Sequence, residues 1–291
     1  MKNRYLFQKR LAYVIAIISL SSFLQAQSCA PGMLTRQGQV DSFNINYPGC
    51  TIITGNLTLT RDVEHLDSLH LITKVRGNLF MNYSKLVDMK GLTSLDSTGR
   101  IVIGSNEKLK NLDGINKLRF CDDLTISNCY QLTDITGISQ VSFKGLIILN
   151  CWKLKKIVGF NAAENLSASI SIIENFDVDT IDAFHNVDSI SGRLRIEGHH
   201  KLKMLSMGEK LKYIRDDLEI TKSPLLPDLP AFPLLDNIRT LKLENLHGLK
   251  QISSFPVLNQ ARGDILIRLG DKLMDINGFN TLTYLGRDLV I

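Results

Sequence analysis

The sequence predicts an all-β chain: a right-handed parallel β-solenoid, leucine-rich-repeat-like, of about eleven coils with little helix. Two observations carry this. First, a piece of the form G/D-x-L-x-I recurs, its first aliphatic falling at Leu57, Leu79, Ile101, Leu124, Leu146, Ile170, Leu194, Leu218, Leu241, Ile265 and Leu289, at intervals of 22 to 24 residues. Second, in many of the pieces apolar residues follow six, nine and twelve places after the second aliphatic. Ile148 is followed by Leu154, Ile157 and Phe160, and Ile267 by Leu273, Ile276 and Phe279. Glycine often stands just before the last of these, as at Gly91, Gly114, Gly137, Gly159 and Gly278.

The physics follows from the period. L-x-I alternates with period two, which makes a short strand with one buried face. Apolar residues spaced by three suit extended or 3₁₀-like turns better than a long helix. A unit of this size cannot bury its aliphatic face alone, but copies stacked in register share one core. With strands about 4.8 Å apart, eleven coils make a rod on the order of 50 Å long. Parallel crossovers of this kind are right-handed.

The first element is an address. Lys2, Arg4, Lys9 and Arg10 form a basic start, and Leu11 to Leu24 is an apolar run too short for a bilayer span. Residues 1–26 read as a signal peptide cut after Ala26, which exports the chain to a secreted or cell-surface, outer-membrane-associated location. An uncleaved anchor and a lipoprotein acylated at Cys29 are the competing readings. No later run is long and apolar enough for a second span. The formal charge of +5 falls almost to balance without the four basic residues at the start, so there is no global electrostatic case for nucleic acid.

Residues 27–50 follow as a capping segment, needed because an open solenoid end exposes core and strand edge. A Cys29–Cys50 bridge ties it down, export making disulfides permissible. The solenoid occupies 51–291. Cys129 and Cys151 hold the same place in adjacent coils and are either a second bridge or two stacked small hydrophobes. Cys121 is expected as a free, half-buried thiol. In 223–233, rich in proline, Leu226, Leu229 and Phe232 keep the apolar rhythm, so the prolines stiffen an extended turn. The last coil stops in mid-strand at Ile291, and the expectation is a chain truncated there.

The opening Cys50-Thr51-Ile52-Ile53-Thr54-Gly55-Asn56-Leu57-Thr58-Leu59, continued by Leu69 to Met81, resembles the receptor L domain of the epidermal growth factor and insulin receptor ectodomains. The longer array is most similar to exported bacterial proteins that carry this repeat. The resemblance implies the solenoid fold and a binding role. It departs in coil number and in having no cysteine-rich module between two halves, so it does not imply receptor signalling.

Candidate chemistry is sparse. There is no phosphate loop, zinc spacing or nucleophile elbow, and no cofactor or metal is expected. His199-His200 reads as a solvated turn. The outward middle residues of the strands run Thr58, Phe80, Val102, Thr125, Ile147, Ser171, Arg195, Glu219, Lys242, Leu266 and Val290. Phe80, Val102, Ile147, Leu149 and Ile173 form an apolar region there, the candidate face for a protein or glycan ligand. Arg195, Glu219 and Lys242 stack with alternating sign, and Arg193 stacks on Asp217, an ion ladder rather than a pair of catalytic acids. The function expected is therefore a binding or adhesion module and not an enzyme. A structural spacer and a polysaccharide-active enzyme are the alternatives.

Overall fold

The structure, a computed structural model, describes residues 26–268 and 272–291. The signal-peptide reading falls on residues outside that range, apart from Ala26.

The molecule is a parallel β-solenoid. Among the described residues its main sheet has twelve strands: β1 (Gly32–Arg36), β2 (Leu57–Asp62), β3 (Leu79–Ser84), β4 (Ile101–Gly104), β5 (Asp123–Ser127), β6 (Gly145–Leu149), β7 (Ile170–Ile173), β8 (Leu194–Glu197), β9 (Asp217–Thr221), β10 (Thr240–Glu244), β11 (Ile265–Arg268) and β12 (Leu289–Val290). Each pairs in parallel with the strand of the next coil, and the inward aliphatics stay in register. Leu146 lies beside Leu124 and Ile170, and Ile148 beside Ile126 and Ile172. These inward residues are almost completely buried.

A second wall precedes each main strand. Gln27–Cys29, Cys50–Ile53, Lys74–Val75 and Ser97–Thr98 form one sheet, and a six-stranded sheet runs from Asn165–Leu166 to Tyr284–Leu285. Bridges of Phe120 to Ser97 and Ser142 continue the wall between them.

The third side varies with coil length. The three coils that advance by 22 residues, starting at Leu57, Leu79 and Leu124, carry 3₁₀ turns at Asp67–Leu69, Lys90–Leu92 and Thr136–Ile138. Those that advance by 24 carry an extended strand instead, among them Lys156–Gly159, Thr180–Ala183 and Gln251–Ile252. A strand rises about 3.3 Å per residue and a 3₁₀ turn about 2.0 Å, so the extended coils enclose a wider section. Larger side chains fill it. Leu92, Ile115 and Ile138 give way to Phe160 and Phe184, stacked 5.6 Å apart, and later to Phe232 and Phe255 at 5.5 Å. The ring column breaks at Gly208, where a Cβ would lie 2.6 Å from the Phe232 ring.

Glycine elsewhere in the spacer is a matter of close approach. A Cβ on Gly91 would lie 1.7 Å from the carbonyl oxygen of Leu66 in the previous coil. One backbone rests directly on the next.

The N-terminal segment contributes more than the sequence suggests. It supplies β1, an extra row on the main sheet, and two short helices, Gln37–Asp41 and Phe43–Asn46. Their Val40 and Phe43 plug the end of the core. Gln37 Oε1 accepts from the backbone N–H of Glu64 at 2.8 Å and of His65 at 3.0 Å, latching the plug to the first coil. Cys29 and Cys50 are joined as a disulfide, with Cα atoms 5.9 Å apart.

Candidate functional site

The strand register builds the outward face row by row. Thr58 pairs with Phe80, Phe80 with Val102, Val102 with Thr125, Thr125 with Ile147 and Ile147 with Ser171. Met33 on β1 heads the row and is 59% exposed. Ile147 is 41% exposed, while Phe80, Val102, Leu149 and Ile173 are half-buried. The five candidate residues fall into two groups. Phe80 and Val102 are neighbours, and Ile147 lies near the Leu149–Ile173 pair. The polar row of Thr125 and Ser127 separates them. A depression of about 450 Å³ lies beside Thr125 and Ile147, lined by small residues including Gly145, Ser169 and Ser171. Arg100 and Asp123, paired at 3.1 Å, stand on its rim.

Further along, the face is ionic. Arg195 Nε lies 3.2 Å from Glu219 and donates to Glu197 at 2.7 Å. Asp217 meets Arg239 at 2.7 Å and Arg193 at 3.4 Å. Lys242 sits beside Glu219 in register but turns to Glu244 of its own strand, 3.1 Å away. Burial pushes the Glu197 carboxyl up, but hydrogen bonds from Lys222 and Arg195 outweigh it and hold it below its ordinary value.

Among the described residues, the coils leave the main sheet through one residue in left-handed backbone. Tyr83, Ser105, Asn128, Asn150, Glu174, Gly198, Lys222 and Asn245 share this place, with φ between 52° and 77°. The next residue turns inward, giving a buried column of Ser84, Asn106, Cys129, Cys151, Asn175, His199 and Ser223. Cys121 and His199 correct the sequence reading here, while Cys129 and Cys151 take the second of their two readings, stacked small hydrophobes. Cys129 and Cys151 are free rather than bridged. Both side chains enter the core in the same direction, each sulfur near a carbonyl of its own coil, Ser127 at 3.5 Å and Leu149 at 3.7 Å. Cys121 is fully buried, not half-buried, and burial raises its thiol to about 12. Cys129 is raised to about 11 for the same reason, so neither is poised as a thiolate. His199 is not solvated. Its ring is completely buried between the carbonyls of Asn175 and Ile172, at 3.2 and 3.1 Å, and burial pushes it down to about 4. His200, beside it, is exposed.

The residue after the column points out again and forms a feature the sequence reading missed. Tyr130, Trp152, Phe176 and His200 stack along the coil corner, with ring centroids 4.4, 5.7 and 5.2 Å apart. Tyr130 over Trp152 was visible from their shared neighbours. Continuing the same offset through Asn175-Phe176 and His199-His200 extends the stack.

Among the described residues, no group of three or more His, Cys, Asp or Glu side chains is placed to hold a metal ion, and no helix is long and apolar enough to cross a membrane. No family model, curated protein or solved structure matches the chain.

Proposed function

We propose that this chain is an exported binding or adhesion module whose main sheet face engages a protein or glycan partner at the cell surface. The observation that carries the reading is the half-exposed apolar group of Ile147, Leu149 and Ile173 beside a shallow depression, on a face held rigid by in-register coils. Outward aliphatics on a one-sided sheet cost solubility, and such patches mark interaction sites. The receptor L-domain resemblance of the opening motif supports a binding role. The basic, apolar N-terminus and the Cys29–Cys50 disulfide support export.

The test is capture with residues 27–291 immobilised, exposed to surface extracts of the source cell and its neighbours. An Ile147→Asp variant of equal thermal stability is the comparison. The expected outcome is a partner held by the first and lost by the second. Equal retention by both moves the site off this face. No retention by either favours the spacer reading, in which the stacked coils hold another domain at a distance. Polysaccharide cleavage that depends on Asp217 and Glu219 would replace the binding reading altogether.

A further inference from the structure

A second concavity lies away from the main sheet face, at the coil corner where β2 to β5 end. It encloses about 650 Å³, within the range of small-ligand sites, and is lined from four successive coils. We propose that this recess binds a neutral carbohydrate, one or a few sugar rings of a glycan chain.

Charge points there first. Asp62, Glu64 and Glu107 line the recess against Arg61, Lys85 and Lys108. Lys85 meets Asp62 at 2.7 Å and Lys108 meets Glu64 at 3.2 Å. With three acids against three bases, no net field favours phosphate or a polyanion. The pairs are exposed and keep spare capacity, since a carboxylate accepts about four hydrogen bonds and an ammonium donates three. A surface of interspersed donors and acceptors suits vicinal hydroxyls, each of which both gives and takes. Ser105 and Asn128 add further polar contacts.

Aromatic rings supply the other half of sugar recognition, a flat apolar surface with a polar edge. Tyr83 and Tyr130 both line the recess. Tyr130 rests on Trp152 at 4.4 Å, which fixes its ring. Tyr83 is 74% exposed and holds φ 53°. The equivalent place is filled by asparagine at Asn128, Asn150 and Asn245 and by Ser105, Glu174 and Lys222, so Tyr83 brings an aromatic ring where these other corners have none. The Tyr83 ring fills no core and stands open at the mouth, where a ligand can reach it.

The chain carries its own reporter, because Trp152, its one tryptophan, lies directly behind Tyr130. The experiment titrates residues 27–291 with hexaoses of glucose (β-1,4 and β-1,3), xylose, mannose and N-acetylglucosamine. Trp152 emission and titration calorimetry are read together, and heparin and inorganic phosphate form the anionic arm. The expected result is saturable binding of at least one neutral hexaose, seen in heat and in emission. Tyr83→Asn suits the left-handed backbone, and Glu107→Gln is conservative and removes no ion pair found among the described residues. Each should weaken binding by about tenfold or more, a loss of about 1.4 kcal/mol, with unchanged thermal unfolding. Absence of both signals with every neutral sugar overturns the proposal, as does full affinity in Tyr83→Asn, or binding confined to the anionic probes. Because Ile147 lies outside the recess, Ile147→Asp should leave sugar binding intact, and the two readings fail separately.

Discussion

Asn175 holds the coil before it by the backbone of Cys151: its Oδ1 accepts the Cys151 N–H at 2.8 Å, while its Nδ2 donates to the carbonyl of Ile148 at 3.0 Å. Asn106 does the same three coils earlier, accepting from the N–H of Ser84 at 3.2 Å and donating to the carbonyl of Met81 at 2.7 Å. Each spans a left-handed corner, where the ladder between coils is interrupted. Asn175→Ala strands a buried donor and a buried acceptor and should cost about 2–4 kcal/mol in urea unfolding. Asn175→Leu restores volume but not the hydrogen bonds, so it should be no better. A loss under 0.5 kcal/mol, on the order of a surface substitution, would mean the corner is held otherwise.

His199 makes stability depend on pH. The ring is completely buried, and its folded value of about 4 lies below the ordinary 6.5. The unfolded chain therefore binds a proton that the folded chain refuses. Stability from this group is full above pH 6.5 and falls as the pH drops towards 4. The loss approaches about 3 kcal/mol at the acid end. His199→Asn places at this position the residue found at Asn106 and Asn175. Its unfolding free energy should fall less than the native chain's over the same interval. Parallel pH curves for the two proteins would refute the assignment.

Glycines at one repeat place differ in how tightly they are held. At Gly91 a Cβ would meet the Leu66 carbonyl at 1.7 Å, whereas at Gly278 the nearest atom, the Ile252 carbonyl oxygen, is 3.1 Å away. Gly91→Ala forces two backbones apart and should destabilise by more than about 2 kcal/mol, while Gly278→Ala should cost about 1 kcal/mol or less. Thermal melts of the two variants decide it, and equal losses would contradict the close-approach account.

The Cys29–Cys50 bridge closes a sequence separation of 21 residues around the terminal plug. Loop-closure entropy gives such a crosslink about 3 kcal/mol. Reduction, or Cys29→Ser with Cys50→Ser, should lower the melting temperature and open 30–50 to limited proteolysis before the later coils are cut. Unchanged cleavage in that segment would show that Val40, Phe43 and Gln37 suffice to hold it.

The repeat was legible because one inward pair, L-x-I, recurs wherever a coil crosses the main sheet, and parallel register then aligns every outward residue. That is why Phe80, Val102, Thr125 and Ile147 lie in one row as read. The row's division at Thr125 and Ser127 depends on which small residues flank it, which periodicity does not weigh. The buried corner column escaped for a chemical reason. Ser84, Asn106, Cys129, Asn175 and His199 share a place in the coil rather than a hydropathy, so an apolar pattern passes over them and leaves His199 looking like a polar turn. β1 escaped because Gly32-Met33-Leu34 lacks the inward pair and carries a single buried aliphatic, Leu34.

The two kinds of third side, 3₁₀ turn and extended strand, also make the chain a kit of parts with two gauges. A coil built on a 3₁₀ turn around Leu92 or Ile138 and one built on a strand around Phe160 or Phe184 trace different cross-sections, so they splice cleanly only with their own kind. Doubling residues 146–169 would lengthen the rod by one strand and one ring of the Phe160 column. The same cassette set after Arg100 would press a phenylalanine layer between Leu92 and Ile115. Growth of such a molecule by duplication is therefore granular in size and restricted in place, and the shift from one gauge to the other near β6 is a seam that insertions should respect.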